Sequence, residues 1–388
     1  MFKMFAVSML LCVSTAASAQ TVTPDFSALR QQYLKPPAQW PKATLDHDVT
    51  LQELGLLPLP SFPPDNPLTH NKVALGKKLF FDPKLSRSKQ IACASCHDSD
   101  LGWGDGRQFS FGHDRQTGNR NAPSIENSGY YHQLFWDGRA SSLEQQALMP
   151  ITNPIEMNFT LNELVIRLNK DPDYPRLFSQ VFGSTKQQAV NADNIAKAIA
   201  TYERTIISRL SSFDRFLLAP SQTQSRRKLI FNRQFSDQAL WGLHLYRTKA
   251  RCLNCHNGAL MSDNEFHNIG LTYYQRSYQD LGRYLATNNN DDVGKFKTPS
   301  LRGVMNNKPW MHNGLFSNMR GIISLYNMGG PRNTYDASDL MAPKQSTLLK
   351  PLNLTAAETD ALVEFLTAIT APPAQDSSSR IMATLVHD

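Results

Sequence analysis

Cys93-Ala94-Ser95-Cys96-His97 and Cys252-Leu253-Asn254-Cys255-His256 are two copies of one pattern, C-x-x-C-H, one in each half of the chain. Two thiols at that spacing can each add across one vinyl group of a haem, and the next residue then projects its imidazole at the iron. The pattern predicts two covalently attached haem c groups, held by Cys93, Cys96, Cys252 and Cys255, with His97 and His256 as proximal iron ligands. A structural zinc site made from the same four thiolates would leave both histidines idle. Disulfides inside the motifs would close very small loops and leave the histidines idle as well.

The fifth cysteine, Cys12, lies in an apolar run over residues 4–13 that follows Lys3 and precedes Ala17-Ser18-Ala19. Residues 1–19 therefore read as an export signal with an A-x-A cleavage site. Lipidation of Cys12 would want a small residue where Leu11 stands. Export to the periplasm suits the motif, because haem is attached to it outside the cytoplasm. No other stretch approaches the run of about 20 apolar residues that a membrane span needs. The formal charge is +7, and two haems would bring about four propionate charges. The holoprotein is then nearly neutral, and its basic residues imply no nucleic-acid partner.

Without its first 19 residues the chain is still long enough for two domains with real cores. Residues 20–70 are proline-rich with short apolar words, and read as an extended arm laid on the body. A weak repeat follows. Ala74-Leu75-Gly76-x-x-Leu79-Phe80 precedes the first motif, and Ala239-Leu240-Trp241-Gly242-x-x-Leu245-Tyr246 precedes the second. A glycine inside a helix is costly unless another helix crosses closely there. The partner helices are also legible. Asn191 or Asp193 can cap a helix carrying Ile195, Ile199, Tyr202 and Ile206 on one stripe. Thr355-x-x-Glu358 is a capping-box pattern ahead of Leu362, Phe365, Leu366 and Ile369. The expectation is a mainly α fold of two cytochrome c-like haem domains packed face to face. They cover residues 71–220 and 228–372, with a polar linker over 220–227 and a polar tail over 373–388.

Further ordered motifs span residues 55–370: Arg120-Asn121-Ala122-Pro123, Phe135-Trp136-Asp137-Gly138-Arg139, Gln146 with Asn153-Pro154-Ile155-Glu156, Lys297-Thr298-Pro299-Ser300-Leu301-Arg302, and His312-Asn313-Gly314. In these the chain resembles the bacterial dihaem cytochrome c peroxidases together with the MauG-type dihaem enzymes. The resemblance implies that peroxide meets the N-terminal haem and that the C-terminal haem passes electrons. It makes Glu156 the general acid/base and Gln146 its polar companion, with Pro150 between them. A surface ion pair is the plain alternative for Glu156. Trp136 corresponds to a tryptophan between the haems, where it can carry an electron or simply fill the gap. Arg139 and Arg302 are expected propionate partners.

His113 aligns with the histidine that caps the peroxidatic iron in resting, reductively gated peroxidases and that MauG-type enzymes lack. At the second haem the features point the other way. The peroxidases place methionine fourteen residues after the histidine matching His312, and this chain has Tyr326 there, as MauG-type enzymes do. Met328 competes from two residues further on. The family also holds a calcium ion between the haems, which assigns the side chain of Asn121 and the carbonyls of Asn307 and Pro309; Asn121 bracing a turn is the alternative. The function implied is a periplasmic dihaem peroxidase that reduces hydrogen peroxide to water, with electrons from a small cytochrome c or a cupredoxin. The alternative is a MauG-like oxidase that modifies Trp or Tyr side chains of a partner protein. A non-catalytic dihaem electron carrier or redox sensor is the third reading, and a polar pair such as Gln146 and Glu156 speaks against it. The resemblance leaves room for a homodimer.

Overall fold

The computed structural model describes residues 23–183 and 186–373. The expected export signal and all but the first residue of the polar tail lie outside them. The described chain is mainly helical, and two short strands, β1 (Phe266–His267) and β2 (Phe296–Lys297), pair antiparallel as its sheet. Among the described residues no helix is long and apolar enough to cross a membrane.

Helix α1 (Phe26–Tyr33) starts where Asp25 accepts hydrogen bonds from Ser27 N and Ala28 N, satisfying N–H groups that a helix start leaves without partners. After a long proline-rich stretch comes α2 (His70–Phe81), capped by Thr69. The first motif and a run of irregular turns lead to α3 (Leu143–Thr152), α4 (Leu161–Asn169), α5 (Tyr174–Phe182), the single turn α6 (Lys186–Ala189) and α7 (Ala192–Glu203). Asn191, rather than Asp193, caps α7, and Ile195, Ile199, Tyr202 and Ile206 are all buried. Then come α8 (Ser212–Leu218), α9 (Ser225–Arg233) and α10 (Asp237–Arg247), followed by the second motif. The chain closes with α11 (Tyr284–Thr287), α12 (Met319–Asn327) and α13 (Ala356–Ala368), the last opened by the Thr355/Glu358 capping box.

Two hydrophobic cores result. In the first, α2 crosses α7 so closely that a Cβ on Gly76 would lie 2.7 Å from the Ala198 carbonyl carbon. In the second, α10 crosses α13, and a Cβ on Gly242 would lie 2.7 Å from the Ala361 carbonyl carbon. The glycine in each half is thus the contact point of a helix pair, and each pair stands beside its C-x-x-C-H motif.

Three features differ from the sequence-based expectation. The proline-rich segment is not wholly extended, because the Asp25 cap starts a helix. It also gives Leu29, Tyr33, Trp40 and Leu54 to the second core. Helix α9 begins within the expected linker, since nothing after Pro220 breaks a helix and Arg, Lys and Leu favour one. Helix α8 was expected with the first half, yet Phe213 and Phe216 pack on Phe235 in the second core.

Candidate active site

Each motif folds as a single tight turn. Cys96 N and His97 N both donate to the Cys93 carbonyl, and Cys255 N and His256 N both donate to that of Cys252. His97 Nδ1 lies 3.0 Å from the Trp103 carbonyl oxygen, and His256 Nδ1 lies 3.2 Å from that of Met261. A carbonyl at Nδ1 places the proton there and leaves the Nε2 lone pair for a metal. Burial lowers both imidazole pKa values, which keeps the rings neutral as ligation requires.

The four cysteines are unpaired. Burial pushes the Cys96 thiol up to about 11 and Cys252 to about 12, and raises Cys93 further still. No four-cysteine cluster forms among the described residues. The one His/Cys/carboxylate group with ligand atoms close together among them is Cys255, Asp263 and His267. That group shares Cys255 with the second motif, so a thioether there removes its thiolate ligand. Burial alone would lower the His267 pKa, but the 2.8 Å contact with Asp263 and the neighbouring Cys255 carry it up to about 10. Separate thiol pairs, each followed by an anchored neutral imidazole, fit two haem c groups and do not fit zinc.

Beside the first motif, α3 ends at a turn that folds residues 153–159 back along it: Met157 N donates to the Pro150 carbonyl and Phe159 N to that of Ile151. This brings Glu156 toward the first motif, close enough for its charge to raise the thiols of Cys93 and Cys96. Burial raises the Glu156 carboxyl above its ordinary value, opposed by a 2.8 Å hydrogen bond from Asn153 Nδ2 and by Arg139. His113 joins it from a separate loop, its N–H donating to the carbonyls of Ile155 and Glu156 at 2.9 and 2.8 Å. Gly112 permits that approach, since a Cβ there would lie 2.8 Å from Glu156 Cα. His113 Nδ1 is buried without a partner among the described residues, and Nε2 lies 3.4 Å from Asp114. Gln146 is half-buried on α3.

Trp136 sits where the two halves meet. Its indole N–H donates to the Asn121 carbonyl at 2.9 Å, its ring centroid lies 6.3 Å from that of His312, and its carbonyl accepts from Lys297 N. His312 stacks on Phe296 at 3.6 Å, and burial lowers its imidazole to about 4. Both backbone polar groups of Asn121 are engaged, its N–H by the His312 carbonyl. Its Nδ2 donates to the Arg107 and Gln108 carbonyls. The side-chain oxygen is what Asn121 has left to offer a cation. Asn307 approaches from the other half, its Cγ 3.1 Å from where a Gly104 Cβ would stand. Pro309 follows Lys308 through a cis peptide bond, three residues before His312.

Near the second motif, Tyr326 packs against the core of that half. Burial raises its phenol far above the ordinary value, with Cys255 and Cys252 adding to the rise. Met328 is 64% exposed at the C-terminal end of α12. Arg139 lies over the Phe135 ring and bonds Asp137. Arg302 is otherwise committed than expected: it pairs with buried Asp214 and donates to the Ala259 and Gly55 carbonyls. Its guanidinium is a strut between segments, because the carboxylate facing it comes from the protein.

Glu203 and Lys297 are among the buried ionisable groups that were not anticipated. Glu203 at the end of α7 is 4% exposed, its Oε2 has no partner among the described residues, and burial raises its carboxyl to about 8. It stands on the same apolar stripe as Ile195, Ile199 and Tyr202, and an acid on such a stripe is the signal that could have found it. Burial lowers Lys297 to about 7, with its ammonium 3.2 Å from the Tyr131 ring centroid.

Residues 70–222 match the family model described as di-haem cytochrome c peroxidase. The chain is 36% identical over 348 residues to the cytochrome-c peroxidase IdrP1 of Pseudomonas sp. strain SCT, covering 81% of this chain and 85% of that one. It is 34% identical to the methylamine utilization protein MauG of Methylorubrum extorquens, covering 96% and 95%. A solved MauG-like protein associated with microbial copper homeostasis superposes with a TM-score of 0.70 at 30% identity, covering 87% of this chain and all of that one.

Proposed function

Because the chain belongs to the family of di-haem cytochrome c peroxidases and MauG proteins, we propose that it reduces hydrogen peroxide to water, taking two electrons and two protons per peroxide, at the site between His97 and Glu156. Haem held by Cys93, Cys96 and His97 would supply the iron at which the O–O bond is cleaved. The protein's own part is proton handling and positioning. Glu156, as carboxylate, would accept a proton from one peroxide oxygen and return it to the other, which leaves as water. Asn153 fixes the carboxyl through Oε1, Gln146 orients the peroxide, and the loop bearing His113 packs against the Glu156 backbone. Cys252, Cys255 and His256 would hold the second haem, and Trp136, its ring centroid 6.3 Å from that of His312 in the other half, would carry electrons toward it. A calcium ion at Asn121 and the carbonyls of Asn307 and Pro309 would stiffen that connection. In this reading the two haem domains face each other across Trp136, the chain is exported to the periplasm, and the electrons come from a small cytochrome c or cupredoxin. A homodimer is compatible with it.

The observation that carries the reading is a burial-raised carboxyl, Glu156, beside the first motif. Glu156→Gln in the holoprotein should lower peroxide turnover by about 10²–10⁴-fold with both haems retained; unchanged turnover would sink it. The raised carboxyl also sets an acid limb. Activity falls as pH drops through the Glu156 pKa, because the protonated acid cannot accept, and that limb lies above the usual glutamate range.

Tyr326 favours a second reading, a MauG-like oxidase acting on Trp or Tyr side chains of a protein partner. The tyrosine is turned into the core beside Cys252 and Cys255 while Met328 faces solvent. Rapid mixing with peroxide separates the two. Reaction of the fully oxidised protein without prior reduction supports the oxidase, and reaction only after half-reduction supports the peroxidase with His113 as cap.

A further inference from the structure

From Arg215 to Ser236, both included, the chain has five cationic residues and no Asp or Glu. Four of the cations, Arg226, Arg227, Lys228 and Arg233, lie on α9, and none of the four is in an ion pair among the described residues. Residues 223–230 are all exposed, and α9 buries none of its nine residues. Isolated helices of that length are marginal in water, and packing does little for this one. Its exposed side is also ordered. Arg226, Leu229, Ile230 and Arg233 follow i, i+3, i+4, i+7, the spacing that ordinarily faces a core. Here Leu229 and Ile230 are 48% and 44% exposed.

An apolar centre flanked by arginines is the make-up of a protein docking patch. A helix lying in a membrane surface separates its apolar and cationic faces, whereas on α9 two arginines share the apolar stripe. The patch adjoins the core that holds the second motif. Phe235, just after α9, stacks on Phe216 at 4.8 Å and reaches Phe365 at 6.4 Å; Phe365 meets Tyr246, whose hydroxyl bonds the His256 carbonyl.

We propose that the stripe Arg226, Leu229, Ile230 and Arg233, with Arg227 and Lys228 beside it, is the docking face for a small electron-donor protein with an acidic surface. The proposal rests on the peroxidase reading, since it is that reaction which consumes a donor's electrons. Charge complementarity identifies the partner: unpaired cations attract carboxylates, steer encounter and lose influence as salt rises.

The test uses the holoprotein, the double variant R226E/R233E, and Leu229→Ser. Donors are a reduced acidic cytochrome c, a reduced basic cytochrome c and a small dye reductant. In R226E/R233E, kcat/KM for the acidic cytochrome should fall about tenfold or more at low salt, its salt dependence should flatten, and dye-supported turnover should stay unchanged. Leu229→Ser should weaken the same donor without changing the salt slope. Direct binding of the oxidised acidic cytochrome, followed by calorimetry, should weaken in parallel. Calorimetry reports docking even where no peroxide is turned over, so failure of the peroxidase reading shows separately as absent dye turnover. Unchanged kinetics and binding with the acidic donor would overturn the proposal. So would equal losses with the basic donor, or loss only of binding to phosphatidylglycerol vesicles.

Discussion

A carboxylic acid costs free energy to bury in its charged form, and Glu203 is buried with no cation free among the described residues to compensate it. Arg204, next in sequence, spends its guanidinium on Glu144, so burial dominates and the Glu203 carboxyl rises to about 8. The folded protein then holds a proton that the unfolded chain releases near pH 4.5, and stability should decline as pH rises from about 4.5 to about 8. Glu126, raised by burial to about 7, adds to the same decline. Glu203→Gln, isosteric and neutral, should melt like the parent near pH 4.5 and above it at pH 8.5. Melting curves that run parallel across this range would mean that the carboxyl is solvated. Glu156 differs from Glu203 in having Asn153 and Arg139 beside it. Those two groups oppose the rise that burial causes at Glu156, so its carboxyl gives up a proton more readily than that of Glu203.

At the scale of elements, the repeated architecture turns on two glycines. Alanine at Gly76 or Gly242 would gain about 1 kcal/mol of helix propensity. It would also drive a methyl into a neighbouring helix's backbone, and overpacking typically costs about 1–3 kcal/mol. Backbone cannot move aside as a side-chain tip can, so the cost should prevail. Gly76→Ala should lower the urea midpoint of the first half and Gly242→Ala that of the second, each with reduced haem attachment to the adjacent motif. An unchanged midpoint would show that the helices cross further apart. These elements were legible in the sequence because each rests on local chemistry: a cap, a stripe, a glycine, a C-x-x-C-H turn. Helix α9 and the core to which α8 belongs were not. For α8 the deciding contact is Phe216 on Phe235, which depends on how the chain returns on itself. The Glu156 neighbourhood was legible only in part. The turn at Asn153-Pro154 marked the residue, while the return of the His113 loop depends on Gly112 meeting a backbone distant in sequence.

At the scale of the whole molecule, Arg120 is a polar contact that joins the two halves. Its guanidinium bonds Asp137 from its own half at 2.5 Å and Asp280 from the other at 2.6 and 2.8 Å, and it lies 5.8 Å from the Phe296 ring. Both carboxylate side chains are almost wholly buried, at 4% and 3% exposure. Burial alone would raise Asp280, but hydrogen bonds and charge from Arg120 hold it below the usual carboxylate range. That stabilisation is complete above the unfolded pKa near 4 and is lost as pH falls through the folded value. Arg120→Ala leaves Asp280 charged and buried at neutral pH, a loss of about 3–5 kcal/mol for a broken buried pair. Acidification relieves it, since the orphaned carboxyl then takes up a proton. The gap in melting temperature between parent and variant should therefore be wide at pH 7 and narrow toward pH 4. Asp137 adjoins Trp136 and Asp280 faces it from the other half, so electron exchange between the haems should slow in the variant at pH 7. A melting gap independent of pH would mean that water already reaches these carboxylates, and that the joint between the halves is held by the Trp136, His312 and Phe296 packing instead.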